Sequence, residues 1–127
     1  MAFDYSKIQI DQFADIRILR YKIKSFDQLT LRQKKLVYYL SEAALCGRDI
    51  LFDQHFRYNL PIRKVLETIW ENRHQVKSHP EQLPELEVYL KRVWFSSGIH
   101  HHYSTAKIKP GFTEAAFCKW FDECGCE

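Results

Sequence analysis

Residues 15–23, Asp-Ile-Arg-Ile-Leu-Arg-Tyr-Lys-Ile, set Ile16, Ile18, Tyr21 and Ile23 against charged neighbours, with one slip at Leu19. Near-alternation of this kind is the pattern of a half-buried β-strand, and a bulge produces such a slip. No other stretch carries the pattern convincingly. A strand without a neighbour leaves a row of backbone donors and acceptors unpaired. The sequence therefore predicts a single N-terminal strand whose sheet partner is missing from the chain or borrowed from another copy.

Helical periodicity dominates the remainder. Thr30-Leu31-Arg32-Gln33 has the capping-box spacing, a hydroxyl at the cap and an amide three residues on. The helix it opens carries Leu36, Leu40, Ala43, Gly47 and Ile50 on one stripe, with Val37, Ala44 and Leu51 beside them. So wide an apolar face suits a central helix with neighbours on more than one side. Gly47 in mid-helix costs about 1 kcal/mol relative to Ala, and close approach of another backbone is the usual reason to tolerate it. Asn59 is placed as a cap, with Pro61 in the first turn and Ile62, Val65, Leu66, Ile69 and Trp70 following at helical spacing. Residues 77–84 form a polar connection. A further helix starts near Pro84, carries Leu86, Tyr89, Leu90, Val93 and Ser97 on one side, and ends near Gly98. Thr113 caps a short last helix with Phe117, Trp120 and Phe121. The fold class that follows is mainly α: four to five helices packed around one core, a single N-terminal β-strand, and one helical domain over residues 1–127.

Several function classes are excluded or disfavoured. A net charge of +3 with basic residues scattered among acidic ones gives no nucleic-acid footprint, and Arg32-Gln33-Lys34-Lys35 is too small a cluster to make one. No apolar run reaches 18 residues, so no membrane span is expected. No signal-peptide pattern opens the sequence, and a cytoplasmic location is the expectation. Cys46, in an apolar helical stretch, reads as a small buried hydrophobe. Cys118, Cys124 and Cys126 crowd the C-terminal end, where Cys124-Gly125-Cys126 is too tight for an easy disulfide, and free thiols are expected.

Searches for chemistry return little. The sequence has no His-Glu-x-x-His motif, no Gly-x-Ser-x-Gly elbow, and no phosphate or dinucleotide loop. Asp49 and Asp53 share a helix face without a third partner, while His55, His74 and His79 stand alone in polar stretches. The one polar constellation is His100-His101-His102-Tyr103. Consecutive imidazoles cannot all reach one ion, so His100 and His102 make at most half of a metal site. A polar loop that binds a ligand, a neighbouring domain or water is the better account.

Two segments carry a family resemblance. They are Tyr38-Tyr39-Leu40-Ser41-Glu42-Ala43-Ala44-Leu45-Cys46-Gly47-Arg48-Asp49-Ile50-Leu51-Phe52-Asp53-Gln54, and Val88-Tyr89-Leu90-Lys91-Arg92-Val93-Trp94-Phe95-Ser96-Ser97-Gly98-Ile99-His100-His101-His102-Tyr103 leading to Lys107 and Pro110-Gly111-Phe112. In order, and over roughly residues 10–113, they resemble the N-terminal region of dipeptidyl peptidase III, above all its Bacteroides-type members. The resemblance implies a zinc exopeptidase that removes dipeptides, with two lobes around a cleft and this chain as an incomplete lobe of a larger α+β enzyme. It implies that the zinc motif, His-Glu-x-x-x-His with a further Glu, belongs to the other lobe, so no cofactor and no catalytic residue is expected in this chain. It places the loop after Gly98 at the substrate cleft and gives substrate-binding roles to Gly98, His100, His101, His102 and, as the pocket aromatic, Tyr103. Ser96-Ser97 stands where relatives commonly have Ser-Asn, and residues 116–127 match nothing in the family.

The implied partners are a peptide substrate through the parent enzyme, and the catalytic lobe or a second copy of the chain. Neither nucleic acid nor membrane is expected. A free-standing helical module that binds peptide or self-associates is the alternative from another class. A small metal-binding protein using His100, His102 and the tail cysteines is a third.

Overall fold

The computed structural model describes residues 8–126. The protein is mainly α-helical, with a small two-stranded antiparallel sheet near its N-terminal end. The chain divides into two compact units, one through Arg48 and one from Asp49 onward.

In the first unit, β1 (Gln9–Phe13) pairs with β2 (Ile16–Leu19). The strand expected within 15–23 is thus present but shorter, and its partner is neither missing nor borrowed. It precedes it in the same chain. β1 reads Gln-Ile-Asp-Gln-Phe, too polar to announce itself. The connecting turn hides as well, because Ala14 holds a positive φ of 48° where Gly or Asn would have marked it. The register slips by one residue between Gln9 and Asp11, leaving Ile10 as the extra residue opposite the Ile18–Leu19 step. Tyr21 and Ile23 lie beyond the strand and are exposed.

A 3-10 turn at Phe26–Gln28 leads into α1 (Leu31–Cys46). Its capping box forms as expected: the Thr30 N–H donates to Gln33 Oε1 at 2.9 Å, and the Gln33 N–H donates to Thr30 Oγ1 at 3.4 Å. The helix stops at Gly47 instead of running to Leu51. A methyl added at Gly47 would meet only the Ala44 carbonyl at 3.6 Å, so no close backbone approach explains this glycine. α1 buries none of its residues, and Cys46, expected inside, is exposed with them.

The second unit holds the core. α2 (Arg48–His55) inserts Phe52, α3 (Asn59–Glu71) inserts Leu66 and Ile69, and α4 (Leu83–Ser96) inserts Leu86, Leu90 and Val93. α5 (Glu114–Glu123) closes the cluster with Ala116 and Trp120, and Cys124 follows it inward. The cysteine-rich end is therefore an integral wall of the core. The four cysteines are free. Burial pushes the Cys124 and Cys126 thiols up, which keeps them protonated and unreactive at neutral pH. Among the described residues no helix is long and apolar enough to cross a membrane.

Polar bonds lock the segment between α3 and α4 onto α5. Trp120 Nε1 donates to the Ser78 carbonyl at 2.7 Å. The Glu123 carboxylate accepts from the Ser78 hydroxyl at 2.6 Å and from the Lys77 and Ser78 amides at 2.8 and 3.3 Å. The Ser78 hydroxyl bond, then the Lys77 amide bond, hold this carboxyl below its usual pKa because they favour the ionised form. A depressed native pKa adds stability above the unfolded-state value, and that stability is lost as pH falls through the native value. Glu123→Gln should lower the unfolding temperature at neutral pH, with variant and parent converging on acidification below the ordinary carboxylate range. A thermal melt series across pH checks this, and equal midpoints at neutral pH would refute it.

Candidate functional site

Asn59 opens α3 but does not cap it. Its side chain is wholly buried and turns away from its own helix. Nδ2 donates to the Phe52 carbonyl of α2 at 3.0 Å and to the Ser97 carbonyl at 3.5 Å, while Oδ1 accepts the Ile99 N–H at 3.1 Å. One amide thus ties α2 to the end of α4 and to the first residue of the loop that follows. An Asn before a helical run reads as a cap because capping is its commonest use there. Nothing local separates that from a buried bridge to residues 40 positions away.

The end of α4 is shaped for that bridge. The Gly98 N–H donates to the Val93 carbonyl at 3.0 Å and the Ser97 N–H to Trp94 at 3.4 Å, the paired bonds of a Schellman end. The left-handed residue this end requires is Ser97, with φ 52° and ψ 38°. Position 97 is therefore one where Asn or Gly suits the backbone better than Ser. Gly98 follows at φ 151°, and a Cβ there would stand 2.2 Å from Asn59 Nδ2. Glycine is required by both the backbone and the packing.

From Gly98 the chain forms a narrow antiparallel loop. Ile108 N donates to Ile99 O and His101 N to Ala106 O, each at 2.8 Å, with His100 bridged to Lys107. The Ser104 N–H turns back to His101 O at 3.0 Å and closes the tip. Side chains on this loop are ordered by rings. His100 meets Phe56 edge-on at 5.3 Å, and His102 meets Phe95 edge-on at 5.0 Å. His101, His102 and Tyr103 form a run of adjacent rings tilted by 32° and then 49° to one another, with centroids 4.4 Å and then 4.2 Å apart. His101 Nδ1 accepts the Tyr103 N–H at 3.2 Å, which leaves Nε2 to carry the proton of the neutral ring.

A polar cavity of about 240 Å³ opens beside the loop. Of the residues given binding roles, Gly98, His100, His101 and His102 line it, whereas Tyr103 does not. Tyr103 lies on the His102 ring and is 88% exposed, more than any other large apolar or aromatic side chain described. The cavity also recruits His55, Asn59, Ser96, Ser104 and Thr105. His55 is exposed, as its polar surroundings predicted, yet its place at the end of α2 brings it to the site. The walls offer imidazole and hydroxyl groups, which suit hydrogen bonding to a neutral polar ligand such as a peptide backbone. Among the described residues no three His, Cys, Asp or Glu side chains converge to hold a metal ion.

A second polar chain steadies the helices under the site. Asp49 pairs with Arg63 at 2.8 Å, so its carboxylate has a partner the sequence did not reveal. Arg63 lies over the Phe52 ring and 3.4 Å from Glu67, which accepts the Trp94 indole N–H at 2.8 Å. The Arg63 Nε contact with Glu67 is electrostatic only, because that N–H is not aimed at the carboxylate and has no hydrogen-bond partner.

No protein-family model matches the chain, and the search of curated proteins returns no match.

Asn59→Ala should destabilise the second unit by about 2–3 kcal/mol, because the Ile99 N–H and Phe52 carbonyl lose a buried partner. Gly98→Ala should cost at least as much, through the Asn59 clash and the positive φ. Ser97→Gly should act in the opposite direction, by about 0.5–1 kcal/mol, through relief of the left-handed cap. Denaturant unfolding of the three variants checks all three signs.

Proposed function

We propose that the second unit is a peptide-binding lobe of the dipeptidyl peptidase III kind, which holds substrate at the 98–108 loop and does not hydrolyse it alone. The observation that carries this function is the joining of a pinned loop, a polar cavity and a run of close, tilted rings. Asn59 fixes the loop's root, the three histidines turn toward the cavity wall, and Tyr103 projects beside it. A peptide in extended form presents exactly one donor and one acceptor per residue, and hydroxyls and imidazoles can meet either kind. Exposed aromatic faces at the rim give its side chains apolar contact area.

The two matched segments support the same assignment. The first ends at Gln54, beside His55 of the cavity, and the second contains Ser96, Gly98 and the three histidines. Hydrolysis would need a metal-bound water and a carboxylate base. In the proposed enzyme both belong to the catalytic lobe, which is the partner this lobe requires, and zinc is that lobe's cofactor.

Binding is tested by titrating the chain with an unblocked pentapeptide and following backbone amide shifts by NMR. The expected result is a perturbation confined to residues 98–105 and their neighbours, with Tyr103→Ala weakening binding about five- to tenfold while leaving the unfolding temperature unchanged. Absence of perturbation, or equal affinity in the variant, would overturn the site. A parallel assay on a dipeptidyl naphthylamide with added zinc should show no turnover. Chelator-sensitive turnover would overturn the non-catalytic assignment.

A further inference from the structure

α1 carries large apolar side chains on every side, between its polar residues, and buries none of them. Leu31, Leu36, Val37, Tyr38, Tyr39, Leu40 and Leu45 are each at least 42% exposed. Apolar side chains spread so widely around a helix suit an interface. Its charges indicate what covers it. The basic residues Arg32, Lys34 and Lys35 crowd the N-terminal end, the first turn has no acidic residue, and the last turn has no basic one. This is the reverse of what the helix dipole favours. An antiparallel neighbour corrects it by laying its own carbonyl end, the negative one, beside that basic cluster.

The register is specific. Leu36, Tyr39, Ala43 and Cys46 follow the three-four spacing of a helix-pair seam, with Lys35 and Glu42 seven residues apart on one flank of it. Both are exposed, and among the described residues neither has an ion-pair partner. In an antiparallel pair the same flanks meet, so Lys35 of each helix faces Glu42 of the other. In a parallel pair those two positions face Leu40 and Gly47 instead. The midpoint between Lys35 and Glu42 falls between Tyr38 and Tyr39, which is also the midpoint of α1. The one register that makes both ion pairs therefore also overlaps the two helices along their full length.

From this self-complementarity we infer that α1 is a homodimer interface, and that its occupant is the α1 helix of a second copy, packed antiparallel about Tyr38–Tyr39. The cavity and loop of the peptide-binding assignment lie in the other unit, and the titration that tests it is read separately from this dimer.

Sedimentation equilibrium of the full chain under reducing conditions, which removes any Cys46 disulfide, should show a concentration-dependent dimer. Lys35→Glu or Glu42→Lys should each weaken it about tenfold, because each turns both symmetry-related attractions into repulsions. The double exchange K35E/E42K should restore the parent affinity. Circular dichroism of each variant should be unchanged, since both side chains are exposed. A monomer at every concentration, a dimer indifferent to the single reversals, or a double variant as weak as the singles would each overturn the interface.

Discussion

The second unit depends on one buried primary amide. A buried polar group costs free energy unless its hydrogen bonds are made, and Asn59 makes three, to three separate parts of the chain. The amide supplies both donor and acceptor, which is what the geometry demands. Two carbonyls, at the middle of α2 and the end of α4, need a donor, while the first amide of the loop needs an acceptor. Neither aspartate nor a hydrophobic residue of similar size can satisfy that set. The glycine at 98 follows as a consequence, because the amide occupies the space its Cβ would take.

Around that point the other polar contacts serve as struts. The series from Asp49 through Arg63 and Glu67 to Trp94 joins α2, α3 and α4 on one side. On another, Glu123 and Trp120 fasten the 77–78 segment to α5. The apolar cluster supplies most of the burial, but apolar packing is non-directional and tolerates repacking. Directional bonds between helices are what hold the relative positions of α2, α3 and α4, and therefore the walls of the cavity.

The helices were legible from the sequence because their signals are local. Thr30 with Gln33, Thr113 ahead of Phe117 and Trp120, and the spacing from Ile62 to Trp70 each report on a few neighbouring residues, and each element forms. The failures share a different cause. The β1–β2 turn places Ala14 at a positive φ that composition does not betray. Gly47 reads as a packing position when it is where two helices part. Cys46 and its helix look internal because apolar content suggests burial, yet periodicity cannot say whether a partner exists. The site divides in the same way. His100, His101 and His102 could be picked out as a cluster, but His55 and Asn59 reach them only through the packing of α2 and α3, which leaves no mark on spacing. Tyr103, placed in the site by resemblance, stands at its margin instead of in its wall.

The ladder that closes the 98–108 loop has a thermodynamic consequence for any ligand. Bonds between residues 99 and 108 and between 101 and 106 fix the stem within the fold itself. Ordering a residue's backbone costs about 1–2 kcal/mol in entropy, and here the stem bonds, with the Ser104 bond to His101 at the tip, take that loss at folding. A molecule that settles beside the histidines meets a frame whose freedom is already spent. Most of its contact energy can therefore appear as affinity instead of being consumed in arranging the loop.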